Sequence, residues 1–329
     1  MTIAKSIGII LVVIVVFFVA QKAFDASLTA KENNRSIGLK TETTNSVSGD
    51  DEGEGVFLKG DFDSEMESLL AAVVRSKKTQ VKTGTSTVDS FSTAQTIDES
   101  GSISGSASSR WWVNSGGRFV INGTTAKTLF GDLQSADKWY KEYLTTNPLD
   151  TDNGLHPQNI FRLVEREFWK NFSQEVYFKI AKYNVSSSPN RNASNGVLLF
   201  NRYQSGDSLY YTGIRVDGNI VVKKKLNGTY YTLGIIKQFP GVYNLSSNPN
   251  ILPVNQWIGL KTTVKDLADG KVEIVVYTDL ANSQQWTESL RVYDTPGVNG
   301  SSTISTQGYA GIRTDFMDVE FDNYSISSL

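Results

Sequence analysis

Residues 196–234 decide the fold of this chain, and they read GVLLFNRYQSGDSLYYTGIRVDGNIVVKKKLNGTYYTLG. Runs rich in β-branched and aromatic residues, which are typical of strands, are separated here by Asp217-Gly218 and Asn227-Gly228. Asp-Gly and Asn-Gly favour two-residue hairpin turns, because both central residues of such turns adopt positive φ. The stretch from residue 208 onward therefore predicts a meander of three antiparallel strands.

Strand patterns continue on both sides of this meander. Alternating or β-rich runs occur at 173–183, 257–265, 272–279, 309–315 and 318–326. In the last run the apolar residues change parity near Asp322-Asn323, which predicts a bulge or a switch of face. A helical pattern within the domain is limited to about 135–144. Many antiparallel strands with so little helix predict an all-β sandwich or barrel.

The composition excludes several kinds of site. The chain has no cysteine, so disulfides, thiolate metal sites and cysteine nucleophiles are excluded. Its one histidine, His156, excludes a multi-histidine metal site. Lys and Arg total 32 against 34 Asp and Glu, and this balance lacks the basic excess of nucleic-acid binders. We therefore expect no nucleic-acid partner.

The N-terminus predicts a membrane segment. Residues 6–20 read SIGIILVVIVVFFVA without a charge, and with 21–24 they approach the length of a membrane helix. A cleaved signal peptide is the alternative, but a cut after Ala20 would place bulky Phe18 at the −3 position. We interpret residues 1–24 as a signal anchor that inserts through residues 6–24. The alternative is a secreted protein.

Residues 25–109 have the composition of a stalk. Most of the segment is polar, and Ser64 with Glu67 fits a capping box that opens a short helix near 64–78. About half of residues 83–109 are Ser or Thr, which predicts a flexible linker. The folded domain is therefore predicted to span residues 110–329. Asn-x-Ser/Thr sequons recur along the chain and favour an extracytoplasmic glycoprotein.

Three strings in the domain resemble a known family. The meander itself, WIGLKTTVKDLADGKVEIVVYTD at 257–279 and GYAGIRTDFMDVEFDNYSI at 308–326 are similar to concanavalin A-like jelly rolls of the laminin-G and glucanase type. The resemblance covers roughly residues 172–329. It implies an antiparallel β-sandwich and a glycan or cell-surface polysaccharide as partner, and it describes a fold more than an activity.

The resemblance also implies catalytic candidates. Glucanases of this fold carry alternating carboxylates on one strand, since hydrolysis needs two carboxyl groups across one glycosidic bond. Glu165 and Glu167 are the nearest match, although the further acids of that motif are missing. Lyases of this fold use Arg, Gln, His and Tyr, and His156 is the only imidazole available as general base. A solvated strand face and an ordinary loop histidine are the alternatives.

Aromatic and cationic residues of the meander are the candidates for ligand binding. In a strand, one ring of an adjacent pair points to the core and the other points outward. Tyr210 or Tyr211, with Arg202, Tyr203 and Arg215, therefore form the predicted concave-face site. A Gly-Ile-Arg-x-Asp pattern occurs both at 213–217 and at 311–315, which two strands with similar geometry explain.

One loop has the chemistry of a calcium site. Asp150 and Asp152 precede Asn153 and Gly154, and oxygen-rich loops of this kind can bind calcium. The spacing does not fit an EF-hand, and an Asx-rich turn is the alternative.

Together these patterns predict a membrane-anchored, extracytoplasmic protein that binds carbohydrate or another surface ligand without catalysis. A polysaccharide-degrading enzyme, either glycoside hydrolase or lyase, and a structural envelope protein are the alternatives.

Overall fold

The computed structural model describes residues 86–329, which form a sandwich of two antiparallel β-sheets. One helix, α1, spans Lys138–Thr146, and short 3₁₀ helices span Ile103–Gly105 and Pro157–Asn159. The strands, in chain order, are β1 Ser86–Asp89, β2 Gln95–Asp98, β3 Trp111–Ser115, β4 Arg118–Ile121, β5 Ala126–Lys127, β6 Ile160–Trp169, β7 Phe172–Tyr183, β8 Gly196–Ser205, β9 Ser208–Arg215, β10 Asn219–Leu226, β11 Thr229–Lys237, β12 Trp257–Asp266, β13 Val272–Asp279, β14 Thr287–Asp294, β15 Gly308–Asp315 and β16 Met317–Ser328.

The two sheets have the order of a jelly roll. The first runs β14-β13-β12-β7-β16-β5-β4-β2, and β1 also pairs with β16. The second runs β11-β10-β9-β8-β15-β6-β3. The core lies between them and takes alternate residues of each strand, such as Val197 and Leu199 from β8. This architecture confirms the predicted antiparallel β-sandwich.

The meander follows the sequence signals. Strands β9, β10 and β11 are joined by the two predicted turns. Asn227 and Gly228 both have positive φ, 50° and 82°, as a type I′ turn requires. At the Asp217-Gly218 turn only Gly218 has a positive φ, of 83°. The predicted change of face in the last strand is also present, as a register shift between Asp322 and Ser325 with Asn323 at φ 51°.

The start of the folded domain differs from the prediction. Strands β1 and β2 lie within the segment predicted to be a linker, and they pair with β16 and β4. Phe91 and Ile97 from this segment are fully buried in the core. Residues 86–109, which were predicted to be part of the linker, therefore belong to the folded domain. A few apolar residues outweigh the surrounding Ser and Thr, because burying them in an existing core stabilises the segment.

Within residues 86–329, no helix is long and apolar enough to cross a membrane. The predicted anchor at 6–24 and the predicted helix at 64–78 both lie outside the described residues.

Candidate functional site

The second sheet presents a set of side chains on the face that points away from the first sheet. We call this the outer face of the second sheet. In β8 and β9 the residues between the core positions point there, including Leu198, Phe200 and Tyr211. They belong to a second buried cluster that is separate from the main core, made of Trp112, Val164, Leu198, Phe200, Tyr203, Leu209, Tyr211 and Val221.

Tyr211 lies at the centre of this face. Its ring contacts Phe200 edge-on at 5.5 Å between centroids and stacks on Tyr230 at 6.2 Å. The guanidinium carbon of Arg313 lies 5.4 Å from the same ring centroid, and Lys223 is directly opposite Tyr211 in register. No group among residues 86–329 forms a hydrogen bond with the Tyr211 hydroxyl. A cation against the aromatic face is favourable, because the face carries partial negative charge.

Two other buried tyrosines, in contrast, donate hydrogen bonds from their hydroxyl groups. The hydroxyl of Tyr210 donates to Asp294 at 2.6 Å, and that of Tyr143 donates to Glu99 at 2.5 Å. Burial, with the neighbouring carboxylate, raises the pKa of each of these phenols. Unlike these two hydroxyls, that of Tyr211 makes no hydrogen bond within residues 86–329, a property that it shares with the hydroxyl of Tyr243.

Arginines bring positive charge to the outer face. The repeated Gly-Ile-Arg-x-Asp pattern makes the same ion pair twice: Arg215 to Asp217 at 3.0 Å, and Arg313 to Asp315 at 2.8 Å. The two strands lie on either side of β8. Arg162, between the core residues Phe161 and Leu163, is opposite Arg313 in register. Asp217 and Asp315 are thus each ion-paired with an arginine two residues earlier in the chain.

The structure divides the five residues predicted to bind ligand. Tyr203, Tyr211 and Arg215 belong to the outer face. Tyr210 points into the core. Arg202 is fully buried at a register irregularity of β8, where its φ is 51° and it pairs with Asp266 at 2.7 Å. Arg202 also donates to the backbone oxygens of Lys170 and Ile304, so it holds loops together rather than facing a ligand.

Glu165 and Glu167 do not form a catalytic pair. Glu165 is 2% exposed and accepts hydrogen bonds from the Trp169 indole at 2.7 Å and from the Glu167 amide at 3.1 Å. Burial raises the pKa of Glu165. Between Val164 and Phe168, β6 has three residues where β15 has one, so simple alternation fails at the positions of the two glutamates.

His156 lies between two carboxylates. Its Nδ1 is 2.7 Å from Asp152 and its Nε2 is 2.8 Å from Asp132. The hydrogen bond from His156 lowers the pKa of Asp132. Since both ring nitrogens already have partners, the imidazole links two loops and is not placed as the general base proposed from the sequence.

The predicted calcium ligands lie in a network of hydrogen bonds. Asp150 is buried and accepts from Ser188 at 2.6 Å and from Asn190 at 2.9 Å. Asp152 accepts from Ser186 at 2.5 Å, in addition to its contact with His156. In the described part of the chain, no group of three or more Asp, Glu or His side chains is arranged to hold a metal ion. The arrangement matches the Asx-rich turn that the sequence left as the alternative.

Sequence reasoning missed Arg313 and Phe200 on the outer face. The repeated Gly-Ile-Arg-x-Asp pattern was the available signal for Arg313, because Arg215 of the first copy was already a candidate. Phe200 could not be selected without knowing which strands are neighbours.

Comparisons with known proteins agree with the fold. No protein-family model matches the chain, and no curated protein does. Among solved structures it resembles the carbohydrate-binding module CBM66 from Bacillus subtilis at 16% identity, covering 52% of this chain and 83% of that one with a TM-score of 0.37. It also resembles a Bacillus licheniformis β-glucanase at 11% identity (75% and 100% covered, TM-score 0.41). A third is porphyranase B from Zobellia galactanivorans at 11% (73% and 90%, TM-score 0.39).

The prediction of a non-catalytic binding protein is corrected by these comparisons. Two of the three structures are named as enzymes, a β-glucanase and porphyranase B. Similarity at this level defines a fold and no activity. The activity must therefore be argued from the outer face of the second sheet.

Proposed function

We propose that this domain degrades an acidic polysaccharide by β-elimination on the outer face of the second sheet. In this reaction the carbon that bears a uronate carboxylate loses its proton. The electron pair of that C–H bond forms a double bond to the neighbouring ring carbon. The glycosidic oxygen on that neighbour leaves with its bonding electrons and takes up a proton. No water is consumed, and the product carries an unsaturated, ultraviolet-absorbing sugar.

The residues of the outer face supply what this reaction needs. Arg313 and Lys223 neutralise the uronate carboxylate, which makes the adjacent proton easier to remove. Tyr211, whose ring lies against Arg313, transfers the proton through its hydroxyl. The observation that carries the proposal is this phenol, whose ring lies 5.4 Å from the Arg313 guanidinium carbon and whose hydroxyl has no hydrogen bond to any residue in 86–329.

Hydrolysis fits these residues less well. A glycoside hydrolase needs one carboxyl group to donate a proton and a second to act as base or nucleophile. On the outer face, Asp217 and Asp315 are each ion-paired with an arginine two residues away. Glu165 is buried on the other side of the strand. The carboxyl groups near this face are therefore engaged in contacts within the domain.

The proposal includes a location. Residues 6–24 anchor the chain in the cell membrane, and the catalytic domain lies outside the cytoplasm where polysaccharide is found. Release after cleavage of a signal peptide is the alternative. Membrane fractionation with N-terminal sequencing of the mature protein distinguishes the two.

The test uses the full-length protein with alginate, polygalacturonate, xylan and hydroxyethyl cellulose. We expect an increase in ultraviolet absorbance with the first two polymers only. Tyr211→Phe should lower the rate about 10²–10⁴-fold, the range for loss of a general acid–base group. Tyr293→Phe is the control, because Tyr293 is 48% exposed on β14 of the other sheet. New reducing ends without the absorbance change would show hydrolysis instead, and no product from any polymer would also contradict the proposal.

A further inference from the structure

The six tryptophans of the chain fall into two groups. Four are buried, and each donates its indole N–H within the domain: Trp111 to Asp89, Trp112 to Ser100, Trp139 to Asp98 and Trp169 to Glu165. Trp257 and Trp286 are only partly buried, and nothing among residues 86–329 accepts a hydrogen bond from either indole. Neither indole nitrogen is among the buried atoms without a partner, so both N–H groups are open to solvent and available to a ligand.

Both rings lie on the face of the first sheet that points away from the core. Ile258 and Leu260 of β12 are core residues, which places Trp257 and Gly259 on the opposite face. The indole of Trp286 lies directly over Gly259: a Cβ atom there would be 2.8 Å from the Trp286 ring. The absence of a side chain at Gly259 therefore lets the indole lie against the sheet beside Trp257.

The position of Trp286 is fixed by its loop. Asp279, at the end of β13, accepts hydrogen bonds from the backbone amide of Gln284 at 2.6 Å and from the Ser283 hydroxyl at 3.1 Å. It also accepts from the hydroxyl of Tyr177 at 2.9 Å. The rings of Tyr177 and Trp286 are 5.5 Å apart, so Tyr177 supports the indole from below. The partly buried ring of Trp286 is thus held in place by the folded domain itself, without a ligand.

Each tryptophan has a lysine beside it, and each lysine has a glutamate. The ammonium of Lys261 is 5.4 Å from the Trp286 centroid and 2.8 Å from Glu175. The ammonium of Lys179 is 5.0 Å from a Trp257 ring centroid and 3.1 Å from Glu320. The surroundings of the two rings are therefore polar and close to neutral in charge.

We propose that Trp257 and Trp286 form a second polysaccharide-binding surface, separate from the proposed site of cleavage, which we call the tryptophan platform. The apolar C–H faces of successive pyranose rings stack on the two indoles. The free indole N–H groups and the lysine–glutamate pairs hydrogen-bond the sugar hydroxyls. Because the charges are paired, the ligand is a neutral, extended polysaccharide. The inference does not depend on the proposed elimination reaction.

The full-length protein is run in native gels containing hydroxyethyl cellulose or xylan. Both polymers should retard it, and retardation should change little with added salt, because the charged groups are already paired. Trp257→Ala and Trp286→Ala should each weaken binding about tenfold, as expected for a central aromatic contact. Gly259→Ala keeps both tryptophans but displaces the Trp286 ring, and it should weaken binding similarly. Tyr293→Ala, an exposed aromatic of the same sheet, should bind normally.

The outcomes separate this inference from the proposed reaction. Tyr211→Phe should lower the rate of cleavage and leave retardation unchanged, whereas the tryptophan variants should cleave soluble alginate normally. Thermal unfolding identifies any variant that fails to fold, and Gly259→Ala then provides the independent test. If the native protein is not retarded by either neutral polymer, or if the three platform variants bind as well as the native protein, the tryptophan platform is not a polysaccharide site.

Discussion

Replacing Lys224 by Met should destabilise the domain strongly. Lys224 and Asp294 are both completely buried, and the ammonium lies 2.9 Å and 3.0 Å from the two carboxylate oxygens. The same ammonium donates to the Ser302 backbone oxygen at 2.9 Å. Met has a similar volume but no charge, so the variant leaves the Asp294 carboxylate buried with the Tyr210 hydroxyl as its remaining side-chain donor. Removing one partner of a buried pair costs about 3–5 kcal/mol.

Urea unfolding followed by tryptophan fluorescence measures this loss directly. For a domain of this size, 1 kcal/mol changes the melting temperature by about 2–4 °C, so Tm should fall by about 6–20 °C. The double variant Lys224→Met/Asp294→Leu is the control, because it removes both charges, and it should be more stable than Lys224→Met alone. A loss below about 1 kcal/mol in the single variant, or a double variant less stable than the single one, would refute the assignment of this pair as a buried, mutually dependent contact.

Three further predictions concern other parts of the domain. Partial burial raises the pKa of Asp98, but hydrogen bonds from Lys138 and other donors outweigh it and lower the pKa to about 2. The stability from Asp98 is therefore complete above its ordinary pKa of 3.8 and is lost as pH falls towards 2. Asp98→Asn should flatten the acid limb of a Tm–pH curve, and an unchanged limb would contradict this. Arg313→Lys should raise KM for alginate more than it lowers kcat, because Lys keeps the charge but not the guanidinium fork. Steady-state kinetics measure both constants, and a fall in kcat with KM unchanged would contradict this prediction. Calcium or a chelator should leave Tm unchanged, because neighbouring side chains donate hydrogen bonds to Asp150 and Asp152. A calcium-dependent rise in Tm would instead support the predicted calcium site.

Local rules predicted the strands well where the sheet is regular. The hairpin at Asn227-Gly228 needs only positive φ at two adjacent residues, which these residue types adopt readily. The predicted helix near 135–144 appears as α1, which Asp137 caps by accepting a hydrogen bond from the Trp139 amide at 2.8 Å. These features depend on contacts between residues close in sequence.

The same rules failed where strands are irregular. Alternation predicts that Glu165 and Glu167 share a face, but β6 bulges between Val164 and Phe168, and Glu165 is buried against Trp169. Arg202 likewise falls at an irregular position of β8 and pairs with Asp266, far away in sequence. A bulge changes which face every later side chain occupies, and the apolar pattern marked one only in β16, where its parity changes near Asp322-Asn323.

The sequence alone determined that this domain is built of antiparallel strands in a sandwich or a barrel, because strand alternation and turn chemistry are local properties of the chain. It also identified the adjacent pair Tyr210 and Tyr211, one of which was expected to face a ligand. Only the tertiary structure decided between them, placing Tyr210 in the core against Asp294 and Tyr211 on the outer face beside Arg313. The physical reason is that the face of a strand becomes inner or outer only when the other sheet packs against it. Contacts such as the Trp286 ring over Gly259 exist only after that packing has formed.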